Sequence, residues 1–160
     1  MKTPILYYAL GLIFLTSCGG GGSSNEKTTA TQETTTPAPA KEESSSASMV
    51  DLSNKGIGPV TSLTLGELDQ AMADEGQQLF SSYCVACHKA EENFIGPAPK
   101  DILKRRSPEW IMNMILNPQE MTAKDPIAIK LLEEANGVPM IGQGLTEEQA
   151  RKILEYFRTI

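Results

Sequence analysis

Apolar positions recur at three- and four-residue spacing through the C-terminal part of the chain, and this pattern predicts helices rather than strands. Leu68, Met72, Leu79, Phe80 and Tyr83 follow it and predict a first helix over 67–83. Gly76 lies inside that helix, where glycine costs about 1 kcal/mol relative to alanine. With Phe80 one turn later, it marks a place where another helix comes close. Residues 93–99 read as a loop turning at Gly96-Pro97, and residues 101–106 as a short helix. Ser107-Pro108-Glu109 is a helix start: a capping hydroxyl, proline at the first position and an acid in the first turn. That helix carries Trp110, Ile111, Met114 and Ile115 and stops before Asn117-Pro118. Asp125-Pro126 repeats the start signal, and Ile127, Ala128, Leu131, Leu132 and Ala135 form a stripe closed by Asn136-Gly137. After a loop over 138–145, Thr146 to Gln149 is a capping box. It opens a last helix running to about Thr159, with Ala150, Ile153, Leu154 and Phe157 inward. The domain from 67 to 160 is thus expected to be all-α, with about four main helices.

The residues ahead of it follow a different pattern. Lys2 and the apolar run Ile5–Leu15 make a secretion leader too short to span a bilayer. Leu15-Thr16-Ser17-Cys18 resembles the bacterial lipobox. The resemblance implies that residues 1–17 are removed and that Cys18 is acylated, anchoring the protein to the extracytoplasmic side of a bacterial membrane. Gly19 in place of an aspartate leans towards the outer membrane over the inner. Residues 18–66 read as a lipid-anchored tether, Gly-, Ser-, Thr- and Pro-rich up to about Ser48 and too poor in apolar surface to fold. A flexible coil from Gly19 to Gly66 spans roughly 40 Å. Whether 49–66, with Gly56-Ile57-Gly58-Pro59-Val60, lies on the domain as an ordered arm is left open by the sequence.

The net charge is −6, and loss of Lys2 with the leader makes it −7, which argues against nucleic acid as a partner. The chemistry centres on Cys84-Val85-Ala86-Cys87-His88. Two cysteines two residues apart and then histidine form the attachment signature of heme c. Each thiol adds to one vinyl group of the same porphyrin edge, and His88 then reaches the iron as the proximal ligand. A thioredoxin-like pair and half a zinc site are the alternatives. The zinc site lacks ligands, because Cys18 is the only other cysteine and His88 the only histidine. The thioredoxin motif opens a helix after a strand, whereas this one closes an amphipathic helix.

A single histidine excludes bis-histidine ligation within one chain. Methionine is the remaining strong candidate: Met72, Met112, Met114, Met121 or Met140, with Met49 in the tether. Helical methionines are more often core filler. Met121 and Met140 read as loop residues, and Met140 has the better setting, after Pro139 and among Gly137, Gly142 and Gly144.

Together these residues resemble class I c-type cytochromes over 67–160. The resemblance implies a cytochrome c-like helical fold around one covalently attached heme, with Gly76 and Phe80 meeting Ile153 and Tyr156 where the first and last helices cross. It implies that the Pro97 carbonyl accepts a hydrogen bond from His88, that Met140 is the distal iron ligand and that the Trp110 N–H points to a heme propionate. The family's leucine two residues after the Gly-Pro proline is here Pro99, so Ile102 or Leu103 is expected to fill that space. The stretch 105–111, with Asn117-Pro118 and Asp125-Pro126, looks like small cytochromes that accompany nitrous-oxide reductase.

The expected function is therefore not enzymatic: a membrane-anchored carrier of single electrons between redox protein donors and acceptors in an extracytoplasmic respiratory chain. Two rivals remain, a heme enzyme or gas sensor with an open iron and a fixed cytochrome subunit of a larger complex. The missing second histidine counts against a peroxidase. Lys100, Lys104, Arg105 and Arg106 form a basic cluster that either docks an acidic partner or is a solvated or propionate-pairing face.

Overall fold

The computed structural model describes residues 49–160. The leader, Cys18 and most of the expected tether lie outside the described residues. Five α-helices follow one another: α1 Gln70–Tyr83, α2 Pro108–Leu116, α3 Pro118–Lys124, α4 Pro126–Glu134 and α5 Glu147–Phe157. A 3-10 turn, Ile102–Lys104, lies between α1 and α2, and the described residues hold no β-sheet, only one isolated bridge.

The start signals act as expected. Ser107 Oγ accepts from Trp110 N at α2, Asp125 from Ile127 N and Ala128 N at α4, and Thr146 and Gln149 form the reciprocal box at α5. Two boundaries differ. The first helix begins at Gln70, because the Asp69 carboxylate caps the Met72 amide, and this leaves Leu68 exposed. The stretch between Asn117-Pro118 and Asp125-Pro126 is the helix α3, not a loop. Pro118 sits in its first turn, and the next Asp-Pro both ends it and starts α4.

The frame is the crossing of α1 on α5. A Cβ on Gly76 would run into the Lys152 carbonyl oxygen, so backbone meets backbone there. Phe80 fills the crossing beside that point, 5.6 Å from the Tyr156 ring centroid and 5.7 Å, edge on, from that of Phe157. The Gly76 and Phe80 meeting with Ile153 and Tyr156 is present, and Phe157 joins it. Buried Glu155 accepts from the Asp69 amide at 2.8 Å and pairs with Arg151 and Arg158, tying the start of α1 to α5.

Residues 49–66, which the sequence groups with the tether while leaving open an arm on the domain, are an ordered strap on α2 and α3. The folded body therefore begins well ahead of 67. The strap packs Ile57, Val60, Leu63 and Leu65 on the core, and polar side chains hold its backbone. Asn113, 1% exposed, accepts from the Val60 amide and donates to the Lys55 and Val60 carbonyls, each at 2.9 Å. Met121 Sδ accepts from the Ile57 amide at 2.9 Å. Glu109 accepts from Leu63 N, Ser107 donates to the Asn54 carbonyl, and Asp51 N donates to the Arg105 carbonyl. Val60 itself enters the core. Losing Asn113 strands both backbone groups of buried Val60 and the half-buried Lys55 carbonyl, and a buried group left unpaired costs about 1–3 kcal/mol. Asn113→Ala is expected to cost about 3 kcal/mol in denaturant unfolding and to open the strap to limited proteolysis. An unchanged midpoint and cleavage rate would show that the strap is held by its apolar contacts alone.

Candidate heme site

Between the end of α1, the 88–106 segment, α2, α4 and the 138–143 loop lies one apolar cavity of about 280 Å³. The Cys84–His88 turn forms one wall: the amides of Cys87 and His88 both donate to the Cys84 carbonyl as the chain leaves α1. Cys84, Cys87, His88, Pro97, Trp110 and Met140 all line the cavity.

His88 is fixed from behind. Its Nδ1–H donates to the Pro97 carbonyl oxygen at 2.9 Å, the pairing the resemblance implies, which leaves Nε2 without its hydrogen as a metal ligand. Gly96 lets the loop pass this close, since a Cβ there would strike the imidazole. Burial pushes the Cys84 thiol up to about 11, so at neutral pH it is a protonated, poorly nucleophilic thiol rather than a thiolate. That does not suit a redox cysteine, and no group of three or more His, Cys, Asp or Glu gathers to hold a metal among the described residues.

The methionines separate clearly. Met140 stands on the cavity wall in its loop, flanked by exposed Ile141 and Val138. Met121 lies in α3, 0% exposed, its sulfur engaged by the strap, and it is not on the cavity wall. The Met121 alternative is thereby corrected: what reads as a loop sulfur is a structural one. Met114 also lines the cavity from α2, while Met112 is buried elsewhere.

Trp110 presents its ring to the cavity, but its N–H is spent. Nε1 donates to Asp125 Oδ1 at 3.1 Å, so the expected direction towards a propionate is replaced by a carboxylate of the protein. Ile102, together with Pro99, lines the cavity where the family's leucine is missing, whereas Leu103 packs on the core. The basic cluster is largely spent internally. Lys100 pairs with Glu91 at 3.1 Å, Lys104 with Asp101 at 2.9 Å, and Arg105 donates to the Lys100 and Ala98 carbonyls. Arg106, 2% exposed, lies 5.3 Å over the Trp110 ring. Asn113 and Asp125 were not singled out by sequence for the work they do here. Only the Asp-Pro helix start flagged Asp125.

The donor set therefore fits heme c: two thiols and a histidine on one turn, a committed Nδ1, a thioether in a loop and an apolar wall between. The helices and this turn define a small heme c-binding helical domain. A cytochrome c family model matches residues 73–160, more than half of the chain, and the chain belongs to the cytochrome c family, of the class I kind. It is 29% identical over 94 residues to a cytochrome c-551 of Stutzerimonas stutzeri, covering 56% of this chain and 80% of that protein. The structure is similar to a cytochrome c from Rhodothermus marinus, with a TM-score of 0.62 and 50% identity over 64% of this chain and 88% of that one. An engineered form of the Rhodothermus marinus protein, bound to a carbene intermediate, is similar with a TM-score of 0.59 and 50% identity, over the same shares of the two chains. The cofactor is covalent heme c, and the family's work is electron carrying between redox proteins.

Proposed function

We propose that the protein is a one-electron carrier whose iron is ligated by His88 and Met140, held to an extracytoplasmic membrane face by lipid on Cys18. The observation that carries this is the convergence of Cys84, Cys87, His88 and Met140 on one apolar cavity. Heme iron, when bound, supplies the one-electron couple, and a methionine ligand raises its potential. The chain's own residues do the rest. The Pro97 carbonyl fixes the His88 ring and makes it a better ligand. The apolar wall keeps water from the centre. Ile95, Val138 and Ile141 are exposed at the cavity and mark an apolar edge for brief docking of redox partners.

Among the described residues no helix is long and apolar enough to cross a membrane, so anchoring rests on the lipobox resemblance alone. The proposed acceptor is a terminal reductase of a respiratory chain. Nitrous-oxide reductase is the example suggested by the 105–126 stretch, but Ser107 and Asp125 of that stretch already serve as helix caps and carry no partner information.

The test is the optical spectrum of wild type and Met140→Ala, made in a host that attaches heme c. Wild type is expected to be low-spin, with a weak far-red sulfur-to-iron band in the ferric form that the substitution abolishes. A high-spin wild type that shifts on adding carbon monoxide would overturn the carrier reading in favour of an open iron.

A further inference from the structure

The strap reaches the heme cavity through one buried carboxylate. Asn54, in the strap, donates from Nδ2 to Asp125 Oδ2 at 2.7 Å. Asp125 Oδ1 accepts from Trp110 Nε1 at 3.1 Å, from Ile127 N at 3.0 Å and from Ala128 N at 2.8 Å. Trp110 and Ala128 line the cavity; Asp125 does not, so it stands one side chain back from the wall, 2% exposed. We propose that Asp125 is a positioning residue of the electron carrier, and that Asn54 and Trp110 make the strap part of the setting of its reduction potential. This rests on the carrier reading above.

The physical argument concerns charge. A buried carboxylate beside the cavity acts at low effective dielectric, where its field is strong. An anion near the iron favours the oxidised, more positive state and lowers the potential. Each hydrogen bond donated to the carboxylate spreads that charge and weakens the effect. The Arg106 guanidinium, over the Trp110 ring, opposes it further by attracting the Asp125 charge. The strap thus supplies one of the donors that hold the anion's influence down, although it touches no part of the cavity through Asn54. Mere packing makes a different prediction. Loosening the wall admits water and lowers the potential whichever partner is removed.

The sign of the shift separates the two. In the heme-loaded full chain, Asp125→Asn removes the charge and keeps the size, and the midpoint potential is expected to rise. Asn54→Ala and Trp110→Phe each take one donor from the carboxylate and keep its charge, and both are expected to lower the potential, with the far-red sulfur-to-iron band unchanged. Should Asp125→Asn prove too unstable to load, Asn54→Lys carries the test: it keeps a donor to the carboxylate and adds a positive charge, so the potential is expected to rise, and a fall would overturn the proposal in favour of mere packing. Potentials unmoved in all variants, or a potential lowered by Asp125→Asn together with the donor variants, would overturn the relay and leave the carrier intact. A wild type with no reversible one-electron couple would overturn both.

Discussion

Made in a host that does not attach heme, the chain is expected to keep much of its helix and lose its fixed packing. The cavity of about 280 Å³ is lined by α2, α4, the ends of α1 and α5, and α3 through Thr122, so no helix is packed independently of it. Unfilled core space costs about 24 cal/mol per Å³, or about 7 kcal/mol here if the walls stay in place. A domain of this size has about 5–15 kcal/mol to lose. Collapse of the loop walls relieves part of that cost and destroys the geometry at the same time. The strap keeps its hydrogen bonds to α2 and α3, whereas the α1–α5 crossing loses part of its packing, because Phe80, Ile153 and Phe157 also line the cavity. The check compares far-UV with near-UV circular dichroism: helix signal retained, aromatic signal from Trp110 and Phe157 lost, and unfolding broadened. A near-UV spectrum equal to that of the heme-loaded protein, with a sharp transition, would mean that the helices hold the site open alone.

Gly76→Ala is the second large effect, from the smallest possible addition. In an isolated helix the change gains about 1 kcal/mol. Here the added methyl meets the Lys152 carbonyl, which belongs to α5 backbone and cannot swing aside as a side chain would. Separating α1 from α5 also pulls Phe80 off Tyr156 and Phe157 and strains the Asp69–Glu155 bond. Overpacking costs about 1–3 kcal/mol, and a clash with backbone stands at the upper end of that range, so after the helical gain of about 1 kcal/mol a net loss of about 2 kcal/mol is expected for alanine, and no stable fold for leucine. Denaturant unfolding of the heme-loaded protein measures it. An alanine variant as stable as wild type would show that the helices can part without cost.

Local chemistry made much of this legible. Helix starts follow from capping side chains and proline, so α2, α4 and α5 were readable at their first residues. Gly76 and Phe80 announced a crossing because a glycine inside a helix is costly unless something needs the space. The Cys84–His88 turn carries its chemistry in five consecutive residues. What was not legible is held by distant partners. The sequence leaves the strap open because its apolar residues are interleaved with Gly56, Gly58 and Pro59 in no helical or strand pattern, and much of its order comes from Asn113, more than 50 residues away. Met121 looks like a free thioether because nothing local shows that the Ile57 amide will meet it. The direction of the Trp110 N–H depends on a carboxylate 15 residues on, whose visible task is to cap α4.

The strap also implies an order of events in time. A chain that emerges N-terminus first releases 49–66 early, then the Cys84–His88 turn, and only later Asn113 and Met121, 53 and 64 residues beyond their strap partners. At about 5–20 residues per second the lag to Met121 is roughly 3–13 s. Through that interval α2 and α3 do not exist as a seat for the strap, and the cavity that buries Cys84 has not closed. The strap, the oldest part of the domain, therefore docks only once α2 and α3 have formed.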